Sequence, residues 1–320
     1  MNGKNKGWLI AATLLVIVGT AVFAGAMQYL KWDFKKLNTV HYETKVYDIT
    51  KKFDDISIFT SITDVTFELA SDGECKVVCR EAANMPHSVL VKDDTLEITW
   101  TDNRTLTDHI VIEGEETEIT IYLPHAEYDA LCIEETTGDI VISEAFIFKS
   151  IEIHTSTGDV ECYASAEDGF ITETDTGDIK AENISTDTME LFTTTGHITL
   201  GNIDCSGTVQ ISVSTGESNI SGVRCESFIT NGGAGDITLT DVIAEGVFSV
   251  ERTTGDVVFD SCDAAEIFVR TDTGDVKGSL LSEKYYVVNT DTGDVNVPKT
   301  MGGGKCEIIT DTGDVEMTEV

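Results

Sequence analysis

Nine acidic side chains stand directly after ten regularly spaced glycines: Asp139, Asp159, Asp178, Glu217, Asp236, Asp256, Asp275, Asp294 and Asp314, with His197 in the remaining place. If the units that carry them stack at the β-strand spacing of about 4.8 Å, the carboxylates form one file in which neighbours repel by about 0.9 kcal/mol in water. Something must offset that file. Backbone N–H groups are one answer, because an Asp can accept from its own turn. Calcium is another. A second Asp stands two places before the glycine at Asp175, Asp272, Asp291 and Asp311. Asp272, Asp275, Asp291, Asp294, Asp311 and Asp314 are therefore the candidate metal ligands, hard oxygen donors of the kind Ca²⁺ takes. The run Gly232-Gly233-Ala234-Gly235-Asp236 occurs once and lacks the nine-residue period of calcium-binding glycine repeats.

Other reactive residue types do not assemble into a pattern. The six histidines (His41, His87, His109, His125, His154, His197) are scattered, and no serine sits in a Gly-x-Ser-x-Gly elbow. Carboxylate pairs recur in every unit and so single out none. The sequence thus predicts no catalytic residues. Eight cysteines include no CxxC pair and no zinc spacing. Cys205 and Cys225 both lie nine places after their glycine, so stacking would put their Cα atoms about 4.8 Å apart, within reach of a disulfide. Cys75 and Cys79 share one strand face at about 13 Å, too far to bridge.

The glycines themselves dictate what must position these groups. Gly138, Gly158, Gly177, Gly196, Gly216, Gly235, Gly255, Gly274, Gly293 and Gly313 are separated by 19 or 20 residues. Two places after them the column is β-branched in nine of ten units, from Ile140 to Val315, with Ser218 the exception. Apolar columns also occur at four after, five before and seven before, which gives a period of two and hence two short strands around a glycine bend. Self-similarity at such a period predicts stacked repeats, each burying its apolar face against its neighbours. The expected fold is all-β: a parallel β-solenoid of about ten coils, on the order of 45 Å long. A meander of antiparallel hairpins with the glycine at each tip is the rival.

Trp8 to Leu30 are 23 residues without a charge, long enough to cross a membrane as one helix. A cleavable signal peptide ending near Ala24-Gly25-Ala26 is the competing reading. The predicted organisation is a tail and membrane anchor helix over 1–31, a juxtamembrane linker over 32–44, a β-rich cap over 45–128, and the solenoid over 129–320. Within the cap, Thr63 takes the glycine place of a degenerate first coil. The last coil is expected to leave an open sheet edge guarded by Glu316 and Glu319. Residues 41–320 carry 16 basic and 56 acidic residues. Such a surface excludes nucleic acid as a partner and favours cationic partners, metal ions or plain repulsion between molecules.

The run Glu118-Ile119-Thr120-Ile121-Tyr122-Leu123-Pro124, then Tyr128-Asp129-Ala130-Leu131 and Thr137-Gly138-Asp139-Ile140, resembles the putative-adhesin family of bacterial envelope proteins, as does Asp94-Thr95-Leu96-Glu97-Ile98. The resemblance covers about residues 53–320. It implies a surface-exposed or membrane-anchored protein of adhesin-like type. Together with the apolar run and the acidity, the expectation is a single-pass protein of the cell membrane with its C-terminal domain outside the cytoplasm, an adhesin-like binding or scaffold role without catalysis, and a surface protein, glycan or cationic peptide as partner. An envelope-stress component capturing cationic antimicrobial peptides is the first alternative, and a calcium-dependent glycan-active enzyme the second.

Overall fold

A computed structural model describes residues 3–32, 40–104 and 116–320. The expected tail, linker and cap fall partly outside these, as does His109. Gly3–Tyr29 is one α-helix, and its segment Ile10–Tyr29 is long and apolar enough to cross a membrane. Leu14, Leu15, Val16, Ile17 and Val22 are each more than half exposed, so the apolar surface faces outward on all sides, as a helix in hydrocarbon requires.

From Glu127 onward every strand pairing is parallel: Val160 faces Ile140 on one side and Ile179 on the other, and Ile153 lies between Ile133 and Thr172. The chain is a β-solenoid, and the hairpin meander is excluded. Its apolar columns line the interior. Leu131, Ile151, Phe170, Met189, Val209, Phe228 and Phe248 form one buried file, with the Phe228 and Phe248 rings 4.8 Å apart. Because each file continues through every coil, the core is one unbroken cluster.

Each coil bends first at its glycine. Gly216 has φ 148°, and a Cβ placed there would lie 1.8 Å from the Gly196 carbonyl oxygen. The same contact recurs up the stack, so the corner needs glycine for close approach as much as for its dihedral. A second bend lies six places further on, where Asn183, Asn202, Gly222, Asp241 and Ser261 all have φ between 52° and 63°. Asn, Asp and Gly are the types that tolerate this left-handed conformation, and Asn202 donates from Nδ2 to Asn183 Oδ1 at 3.1 Å.

The stack departs from sequence order at both ends. Asp55–Phe59 and Asp64–Leu69 form a coil with Thr63 in the glycine position; its strands pair with Glu127–Thr137 and Ile140–Ile142 on one side, and with Thr95–Trp100 and Glu118–Leu123 on the other. Antiparallel strands Tyr42–Ile49, Cys75–Ala82 and His87–Lys92 cover that end. At the other end, Gly304–Thr312 inserts between Val257–Thr273 and Lys284–Thr292, and Val315–Glu319 between Val276–Leu280 and Val295–Asn296.

The final coil of the sequence is therefore internal, and the edge belongs to the coil at Gly293. This corrects the expected guard role of Glu316 and Glu319: Glu319 Oε1 instead accepts the Lys284 N–H at 3.0 Å. The physical reason lies in the connection between the two coils. Pro298 supplies no N–H for a ladder, while Gly303 and Gly304 pass where a Cβ would meet the Glu283 and Ala265 carbonyl oxygens at 1.7 and 1.9 Å. A chain with side chains at those positions could not slip between the coils.

Candidate binding surface

The acidic file after the glycines is a hydrogen-bonded ladder between coils. Asp159 N–H donates to Asp139 Oδ1 at 2.8 Å, Asp178 N–H to Asp159 Oδ1 at 2.8 Å, and His197 N–H to Asp178 Oδ1 at 2.7 Å. His197 continues it by accepting the Glu217 N–H at Nδ1, 3.1 Å away. Asp139, Asp159, Asp178, Asp236, Asp256, Asp275 and Asp314 thus each hold the next coil rather than their own turn, which revises the local answer expected from turn chemistry. A second ladder runs beside it: Thr193 Oγ1 donates to the Gly177 carbonyl at 3.1 Å, and Thr310 Oγ1 to that of Gly274 at 3.2 Å. Asp159→Ala should cost about 1–2 kcal/mol in urea unfolding because it deletes a charge-assisted bond, whereas Asp159→Asn, which keeps an acceptor, should cost less than half of that.

The six candidate calcium ligands fall into two parallel files. Asp275, Asp314 and Asp294 follow one another in the ladder, with Asp314 N–H on Asp275 Oδ1 at 2.9 Å and Asp294 N–H on Asp314 Oδ1 at 2.7 Å. Asp272, Asp311 and Asp291 lie in the neighbouring file. Among the described residues no three of these carboxylates bring oxygens within 4.8 Å of one another. One oxygen of Asp275 and one of Asp314 is already occupied.

Cys205 and Cys225 are separate, buried thiols: Cys205 Sγ donates to the Asp187 carbonyl at 3.2 Å and Cys225 Sγ to that of Ile243 at 3.9 Å. The bridge that coil spacing leaves open is not formed. With both sulfurs turned to backbone carbonyls, coil spacing alone does not make a disulfide. Burial pushes the Cys225 thiol up to about 12, so it behaves as a small core residue.

Two polar side chains lie inside the solenoid that the sequence did not single out, both three places before their glycine, where threonine usually stands. Arg252 is 3% exposed and donates from Nη2 to Ser218 Oγ at 3.0 Å, while Nε and Nη1 have no partner. It fills the room left by Ser218 and Gly232, where a Cβ on Gly232 would meet Nη1 at 1.8 Å. Burial pulls its guanidinium down to about 10. Glu135 is 7% exposed; its Oε1 accepts the Thr63 N–H at 3.3 Å and its Oε2 is unpartnered.

On the outside, Phe59, Glu134, His154 and Glu173 form a file across four successive coils. They line a shallow groove of 330 Å³ with Thr136, Ser156 and Asp175. His154 bridges the file, its Nε2 2.8 Å from Glu152 and its Nδ1 3.2 Å from Glu173; partial burial opposes protonation, but the two carboxylates together hold the imidazole above its ordinary value. A second groove of 500 Å³ along another corner is lined by Ile147, Glu167, Asp187, Asp204 and serines. Both grooves run along the stack and are acidic, so they suit an extended, cationic or hydroxyl-rich ligand lying across several coils.

The family model described as Toastrack DUF4097 matches residues 53–219 and 204–319. Among solved structures, the chain is similar to a putative adhesin from Bacteroides fragilis NCTC 9343, at 16% identity over 87% of this chain and 97% of that one, with a TM-score of 0.39. It is similar also to a putative adhesin from Parabacteroides merdae ATCC 43184, at 14% identity over 74% and 95% of the two chains and a TM-score of 0.47. A putative lipid binding protein from Parabacteroides distasonis ATCC 8503 matches at 15% identity, 87% and 97% coverage and a TM-score of 0.40. A comparison with curated protein sequences finds no match.

Proposed function

Because the chain belongs to the Toastrack DUF4097 family, we propose that it is an adhesin-like binding or scaffold protein of the bacterial envelope, tethered by its N-terminal helix and without catalytic activity. The observation that carries this reading is the file of Phe59, Glu134, His154 and Glu173, a groove that spans four successive coils of the stack. Most of the acidic groups that recur directly after the glycines are engaged in holding the next coil. What varies is the outward face, and variation on a fixed scaffold is how a repeat protein selects a partner. The partner is a surface protein or glycan held across several coils.

Vesicles carrying the full chain should be retained on bacterial cell-wall glycan and on whole cells, and Glu134→Lys with Glu173→Lys should abolish retention while leaving the circular dichroism spectrum unchanged. Retention equal to that of empty vesicles would overturn the proposal. The acidic groove also favours a second reading, capture of cationic antimicrobial peptides. In that case a cationic peptide binds the full chain in micelles with an affinity falling at least tenfold between low and high salt. Affinity independent of salt would reject that reading and leave the first standing.

A further inference from the structure

The inward row of the strand Cys75–Ala82 reads Cys75, Val77, Cys79, Glu81: an apolar row that ends in a carboxylate with no exposed surface. A buried carboxylate is expensive unless several groups serve it. Five residues after this strand, His87 opens the next one, and it too is buried. Cys79 Sγ, a Glu81 oxygen and a His87 ring nitrogen all lie within 4.8 Å of one another. His87 Nδ1 is 2.8 Å from Glu81 Oε2, and Lys45 Nζ is 2.6 Å from Oε1. Thr60 Oγ1 stands 3.0 Å from His87 Nε2.

We propose that Cys79, Glu81 and His87 form a metal site of the zinc class inside the amino-terminal cap, binding through thiolate, carboxylate and imidazole. Donors held at 2.0–2.3 Å from a tetrahedral Zn²⁺ are about 3.3–3.8 Å apart, so the three atoms need only small side-chain adjustments to converge. A soft sulfur beside imidazole selects zinc over calcium or magnesium. Water completes the coordination.

The surrounding groups fit the same role. Thr60 addresses the ring nitrogen that the metal does not use, and Lys45 addresses the carboxylate oxygen that the metal does not use, which are the second contacts that orient metal ligands. On binding, the Cys79 thiol gives up its proton to solvent, and the imidazole carries its own on Nε2, donated to Thr60 Oγ1. Cys79 and Glu81 sit two apart on one strand, and the neighbouring strand Tyr42–Ile49 places Lys45 opposite Cys79. The metal would therefore staple two strands of the cap that shields the first coils, with Lys45 of a third holding the carboxylate, and cap folding would be linked to metal binding.

The test is cobalt titration of the reduced, chelator-stripped full chain in detergent. A thiolate-to-cobalt charge-transfer band should grow to saturation at one equivalent and be bleached by zinc, and zinc should raise Tm. Cys79→Ser should abolish the band, Cys75→Ser should keep it, and His87→Gln should weaken binding at least tenfold. Should Cys79→Ser fail to fold, peptide mapping after partial alkylation gives the same answer, with zinc protecting Cys79 and leaving Cys132 unchanged. A wild-type protein with no band and no zinc-dependent Tm, or a band that survives Cys79→Ser in folded protein, would overturn the site and leave a buried Lys45–Glu81–His87 network alone.

Discussion

Gly216→Ala will destabilise the solenoid by more than about 4 kcal/mol and split its unfolding into two transitions. The methyl group would sit 1.8 Å from the Gly196 carbonyl oxygen and 2.7 Å from its carbonyl carbon, at φ 148°, where a side chain is already strained. A clash with backbone cannot be relieved by a rotamer change, so the coils at Gly196 and Gly216 must separate. That separation breaks the Gly196 N–H bond to the Thr215 carbonyl, now 3.0 Å, and the His197 bond to Glu217. Since each coil is held by its two neighbours, losing one interface uncouples the stack into two shorter ones. Gly73 provides the control: it lies in a turn at φ 75° with nothing within 4 Å of its would-be Cβ, so Gly73→Ala should cost only about 1 kcal/mol. Urea unfolding followed by circular dichroism checks both, and a Gly216→Ala protein within 1 kcal/mol of wild type would refute the close-approach account.

That contact also shows why so much of the fold was legible. A glycine every 19 or 20 residues with a β-branched column two places on is the direct imprint of coils touching through their backbones, and it predicted the parallel stack and its buried files. The order of stacking left no such imprint. Gly274, Gly293 and Gly313 keep the ordinary spacing, yet the coil at Gly313 lies between the other two, because spacing encodes the shape of a coil and not which coil it meets. The signal was in the connection, Pro298 with Gly302, Gly303 and Gly304, which is unlike any other corner.

The site was less legible than the fold, for the same physical reason. Turn chemistry showed that the Asp file needed donors, but both a local turn and the next coil could supply them, and the two differ only in how closely the coils stack. Ser218 stood out as a gap in an aliphatic column and Gly232 as one of a glycine pair, but that Arg252 reaches down from the coil above to fill both is a three-coil relation. The buried group formed by Cys79, Glu81 and His87 lies in the cap, where no repeat frames it and a Cys-x-Glu pair reads as ordinary strand alternation.

Glu135 supplies the other large effect. It occupies the interior column where Thr155, Thr174 and Thr193 stand in the next coils, so a carboxyl sits where the fold elsewhere uses a hydroxyl. Burial pushes it up to about 8; the Thr63 N–H works against this, while Asp64 and Asp139 reinforce it. An unfolded glutamate loses its proton near 4.5. Between those values the folded chain therefore holds one proton more than the unfolded chain, and stability must fall as pH rises across that window, then level off above about 8. The accumulated loss is on the order of 3–5 kcal/mol. Glu135→Thr restores the column and removes the group that titrates, so wild type and variant should be close in stability near pH 5 and diverge steadily toward pH 8, the variant being the more stable. Because the other carboxylates are common to both proteins, the difference between their urea midpoints as a function of pH isolates Glu135. A difference that stays constant from pH 5 to 8 would show that this carboxyl is ionised in the folded chain, and that the coil at Gly138 has found a donor for its second oxygen.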